Sequence, residues 1–118
     1  MCGIVGYIGS QEATPILLQG LKRLEYRGYD SVGLALISGA DLTVVKRAGK
    51  VGALEEAIRQ GEPTGHCGIA HTRWATHGAP NHTNAHPHTS RAGDIALVHN
   101  GILENAEIIR KQLVGEGY

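Results

Sequence analysis

The feature that most constrains this chain is the way its hydrophobic period changes along its length. Residues 3–8 alternate and are rich in β-branched and aliphatic types, which predicts a strand at the very front. Ser10-Gln11-Glu12 reads as a turn, and Thr14-Pro15 as a helix start with Thr14 the N-cap and Pro15 the first helical residue. Ile16, Leu17, Leu21 and Leu24 then share one helical face. Residues 24–31 are polar, aromatic and broken by glycine, so they read as a loop. Residues 32–38 predict a strand, Gly39-Ala40-Asp41 a hairpin turn and residues 42–47 the returning strand. A glycine loop at 49–52 precedes a short helix over 53–59. Further strands are predicted at 66–72 and 94–99. A last helix spans 102–113, with Ile102, Ala106, Ile109 and Leu113 on one face. Strand, helix and hairpin in this order suit an α/β layered domain with antiparallel pairs.

The 118 residues suffice for one domain with a modest core, and with no Phe that core must be aliphatic. Eleven acids balance eleven bases, and no run of like charge exists. Nucleic-acid and membrane-surface binding therefore lack their electrostatic footprint. No long apolar segment and no signal peptide is visible, which leads to the expectation of a cytoplasmic protein. There Cys2 and Cys67 would stay reduced.

Three stretches carry chemistry. Cys2 directly follows the initiator methionine, and trimming of Met1 would put a thiol and a free α-amine on one residue. A free thiol titrates near ~8.5 and an α-amine near ~7.7–8.0, so the amine can activate its own side chain near neutral pH. A small apolar residue opening a strand is the alternative reading of Cys2. In Val98-His99-Asn100-Gly101, a strand ending in Asn-Gly sets an amide donor beside a glycine N–H, the makings of an oxyanion hole. Asn-Gly is equally a hairpin signal. In His71-Thr72-Arg73-Trp74-Ala75-Thr76-His77-Gly78, Arg73 directly after a strand offers a planar fork for a carboxylate. Thr76 and His77 can add donors, and Trp74 can act as a lid. Otherwise these are a surface arginine and a packed tryptophan.

Residues 73–93 have no periodicity and hold His77, His82, His86 and His88. No metal-ligand spacing is present, so hydrogen bonding that orders the loop is the expected role and no metal is expected. Phosphate-cradling glycine signatures are absent.

Assembled, these stretches resemble the glutaminase domain of the glutamine–fructose-6-phosphate aminotransferases, class II glutamine amidotransferases with an N-terminal nucleophile. The resemblance rests on Cys2-Gly3-Ile4-Val5-Gly6, on residues 23–31 with Tyr26-Arg27-Gly28-Tyr29-Asp30-Ser31, on residues 68–78, on Asn84-Ala85-His86-Pro87-His88 and on Val98-His99-Asn100-Gly101. Phosphoribosyl-amidotransferases are similar but typically lack a tryptophan after the clamp arginine.

The resemblance implies an α/β N-terminal-nucleophile αββα sandwich with antiparallel sheets and no cofactor. It implies that Cys2 attacks the glutamine side-chain amide and that Asn100 and Gly101 hold the oxyanion. Arg73, Thr76 and His77 would bind the α-carboxylate, Trp74 would gate ammonia, and Arg27 would line the pocket near Cys2. It further implies an isomerase domain acting on fructose-6-phosphate as partner, and leaves a homodimer open. The family's glutaminase domain is about twice as long, and the aspartate that binds the glutamine α-amine follows past Tyr118. The chain is therefore expected to be a truncated, N-terminal portion of the sandwich, poorly active and association-prone by itself. The alternatives are a non-catalytic interaction fragment and a phosphoribosyl-type amidotransferase.

Overall fold

The fold is given by a computed structural model, which describes residues 1–61, 63–75 and 78–118. β1 (Gly3–Ile8) leads into α1 (Ala13–Leu24) and a single 3-10 turn, Glu25–Arg27. β2 (Ser31–Ser38) and β3 (Asp41–Ala48) follow, then α2 (Val51–Gly61) and β4 (Cys67–Arg73). Two short strands, β5 (His88–Thr89) and β6 (Ala96–Leu97), and α3 (Ala106–Gly115) complete the order.

β1–β4 form one antiparallel sheet in the order β1-β4-β2-β3, so β4 and β2 are its inner strands and β1 and β3 its edges. Alternation then divides the side chains. Val5, Val32, Leu34, Leu36, Val45 and Ala70 turn to the helices and meet Ala13, Leu17 and Leu21 of α1 and Val51, Leu54 and Ile58 of α2. Every fully buried member of this core is aliphatic, and Tyr7 packs against it. Lys22 of α1 and Glu55 of α2 close the helix pair at its surface, 2.6 Å apart. The opposite sheet face carries Ile4, Ile8 and Ile37, all exposed. β5 and β6 pair only with each other, and α3 buries no residue. The described residues thus form a four-stranded sheet with two helices on one face, and a separate two-stranded sheet.

Several boundaries differ from the sequence reading. Thr14 is not the N-cap of α1: Glu12 takes that position, and the buried Thr14 hydroxyl donates to the Pro63 carbonyl at 3.0 Å. α2 starts at Val51, inside the predicted glycine loop, where the Glu25 carboxylate accepts the Val51 N–H at 3.2 Å. That carboxylate satisfies one of the helix's orphan donors. Arg73 belongs to β4 rather than following it. The strand predicted at 94–99 shrinks to Ala96–Leu97 because the Asp94 and Ile95 N–H groups go to the Ser90 hydroxyl instead. The first turn predicted for the last helix, residues 102–105, is a turn leading into α3.

Candidate active site

Register places the first chemistry-bearing residue. Gly3 pairs with Thr72 and Ser31 pairs with Arg73, so the start of β1, the end of β4 and the start of β2 lie side by side. Cys2, one residue outside β1, lands against Trp74, one residue outside β4. The Trp74 N–H donates to the Cys2 sulfur at 3.3 Å. The Cys2 thiol in turn faces the Trp74 carbonyl at 3.7 Å. The two cysteines are both free, with Cys67 at the far end of the same strand pair, opposite Ile8.

Asn100 reaches the same point from the other side. Its Nδ2 donates to the Cys2 carbonyl at 3.4 Å, and its Oδ1 lies 2.7 Å from His71 Nε2. Together Cys2, Arg27, Arg73, Trp74, Asn100 and Gly101 line one cleft of about 650 Å³. Six of the eight site residues expected from sequence are therefore brought together. The other two, Thr76 and His77, lie outside the described residues.

Arg73 is buried, and its guanidinium donates to the Ala79 carbonyl at 3.1 Å and lies 3.6 Å from Asp30. Asp30 is a residue that sequence reasoning left in a loop. Its N–H donates to the Arg73 carbonyl at 2.7 Å, its carboxylate accepts the Ala75 N–H, and Ser31 donates to it at 2.9 Å. It staples the turn that carries Arg73 and Trp74. Trp74 is half exposed at the cleft mouth, with its ring on Gly28. At φ +112° a Cβ on Gly28 would meet the indole at 2.4 Å, so a lid can close there only over glycine. Arg27 turns its side chain to the Met1 sulfur, while its carbonyl accepts the Met1 amine at 2.7 Å.

The histidines are arranged as a stack. His71 is fully buried on the sheet face away from the helices; the His86 ring lies 4.2 Å from it, and His88 lies 4.3 Å from His86. Gly33, opposite His71, admits this: a Cβ there would sit 2.1 Å from the His86 carbonyl oxygen. Burial holds His71 and His88 below the ordinary histidine range, and the Asn100 bond opposes this at His71. Burial, then the neighbouring His71 and His88, pushes His86 down to about 4. All three are neutral near pH 7. Among the described residues, no group of three or more His, Cys, Asp or Glu is placed to hold a metal. The period-two spacing of His71 and Arg73 was the sequence signal that both share a sheet face.

No protein-family model matches the chain. Over its whole length it is 58% identical to glutamine–fructose-6-phosphate aminotransferase (isomerizing) of Bacteroides thetaiotaomicron, covering 19% of that relative. The enzyme of the same name from Thermus thermophilus is 57% identical, and that from Caldanaerobacter subterraneus 55%; the whole chain is matched and covers 20% and 19% of them. The chain thus spans about a fifth of the length of these relatives and aligns with their N-terminal part. Among solved structures, glutamine phosphoribosylpyrophosphate amidotransferase from B. subtilis, complexed with ADP and GMP, matches the whole chain with a TM-score of 0.83 at 30% identity, over 26% of its own length. A second, described as the allosteric regulatory enzyme of purine biosynthesis, gives 0.85 with the same identity and coverage. The fold is therefore that of the N-terminal-nucleophile amidotransferases.

Proposed function

We propose, for a chain matched along its entire length by glutamine–fructose-6-phosphate aminotransferases, that it carries the glutamine-hydrolysing half of such an enzyme. The observation that carries this reading is the meeting of Cys2, Asn100 and Arg73 in one cleft. Once Met1 is removed, the Cys2 α-amine takes the thiol proton and Sγ attacks the side-chain amide carbon of glutamine. Asn100 Nδ2 and the Gly101 N–H receive the oxyanion. The C–N bond breaks, the amine passes its proton to the departing nitrogen, and ammonia leaves a γ-glutamyl thioester. Water then adds to the thioester carbonyl, glutamate departs and the thiol is restored. Arg73, with Thr76 and His77, grips the glutamine α-carboxylate, and Trp74 covers the cleft.

In the intact protein the ammonia would aminate fructose-6-phosphate in an isomerase domain, in the cytoplasm. The higher identity to the aminotransferases than to the phosphoribosyl-type structures, and Trp74 behind Arg73, favour this acceptor. A homodimer is compatible with the reading.

A glutamine-like diazo-ketone tests the nucleophile. Labelling should fall on Cys2 and not on Cys67, and should vanish in Cys2→Ala. Equal labelling of both thiols would refute an activated nucleophile. A chain that keeps Met1 should label at no more than the Cys67 rate, since its amine is held on the Arg27 carbonyl and lies one residue away from the thiol.

A further inference from the structure

We propose that His71 is the positioning residue for the Asn100 amide, its Nε2–H fixing Oδ1 so that Nδ2 is turned to the reacting centre. The inference rests on the reading above, in which Asn100 is an oxyanion donor. Asn100 itself is exposed and ends a two-residue strand's exit, so its backbone does little to fix its side chain. His71 is the opposite: fully buried, in the inner strand β4, with its ring covered by His86.

The hydrogen bonding allows one arrangement. Oδ1 can only accept, so the nitrogen 2.7 Å away must carry the proton, and His71 is the Nε2–H tautomer. Its Nδ1 is then an unprotonated, buried atom without a hydrogen-bond partner. A proton on that nitrogen instead would set a lone pair against Oδ1. Rotating the amide by half a turn would lose the bond from Nδ2 to the Cys2 carbonyl and set oxygen against oxygen there. Each contact thus selects the other, and the chain of donors runs in one direction, from His71 through Asn100 to Cys2. The His86 ring, 4.2 Å away, packs on the His71 imidazole and limits its movement. Without His71, the amide has one anchor and two orientations, and only one of them presents a donor.

The test uses the intact polypeptide with Met1 removed. Losing an oxyanion donor outright costs about 10²–10³ in kcat. Loss of its orientation in His71→Leu is expected to cost roughly 10–10²-fold in kcat, with KM for glutamine within about twofold. His71→Gln, which keeps a donor, should recover part of the loss. In an Asn100→Ala background His71→Leu should cost less than about twofold, because the two act as a unit. If His71→Leu slows the Asn100→Ala enzyme by the same factor as the wild type, or leaves the wild-type kcat unchanged, the proposal is overturned. Should the leucine variant not fold, long-range proton–nitrogen spectra of histidine-labelled wild-type protein decide the matter. Nε2–H at His71 is expected, and Nδ1–H would overturn the proposal. A wild-type protein that hydrolyses no glutamine would instead remove the reading of the site itself.

Discussion

Gly33 shows how a single missing side chain can shape a site. Its neighbour across the sheet is His71, and the space above it is filled by the His86 carbonyl rather than by a side chain of its own strand. A methyl group at 2.1 Å from that oxygen has to displace backbone, not a flexible tip. Gly33→Ala is therefore expected to destabilise the protein by about 1–3 kcal/mol, as overpacking of a tight site does, and to loosen the histidine stack. Chemical denaturation of the variant against wild type measures this, and an unchanged midpoint would contradict it. Asp30 acts by the same economy just before the start of β2, where one carboxylate holds both Arg73 and the Ala75 N–H.

At the scale of elements, the histidine stack couples stability to pH. His86 titrates at about 4 in the folded protein, against an ordinary value of 6.5, and His71 and His88 are shifted the same way. Between those two values the unfolded chain binds more protons, so stability rises with pH across the window and levels off above about 6.5. Lys46 and Arg73 face the stack and add to the cost of charging it. Thermal unfolding should begin at a lower temperature at pH 5 than at pH 7, and His86→Gln should reduce that difference. A melting temperature that does not change between the two would count against a buried neutral stack. Both core helices were legible from period, because α1 and α2 each bury one regular face, whereas β2, buried on both faces over residues 31–36, was legible as a short apolar run closed by a turn. Residues 85–88 were not, since they are held by contacts distant in sequence. His86 leans on His71 and Lys46 donates to the Ala85 carbonyl at 3.0 Å, neither of which leaves a periodic trace. The cleft residues were legible as residue types, but the use of the Trp74 backbone N–H and of Asp30 was not, because side-chain identity does not announce a main-chain donor.

At the scale of the whole molecule, apolar surface is unevenly covered. The helices shield one face of the sheet, while Ile8 is 82% exposed and Ile4 and Ile37 about half exposed on the other. α3 adds Ile108 and Val114, which are 71% and 64% exposed. Exposed apolar surface that no element covers favours association in water. The 118-residue chain by itself is expected to form concentration-dependent assemblies in analytical ultracentrifugation; a single monomeric species at high concentration would contradict this.

The two-residue turn at Gly39-Ala40 has a practical side. β2 runs from Ser31, beside the cleft, to Ser38, so this turn lies a strand's length away, about 25 Å at the usual rise per residue. Both turn residues are exposed. A fluorophore or short epitope grafted there would ride on the far rim, leaving the cleft and the chain start unobstructed.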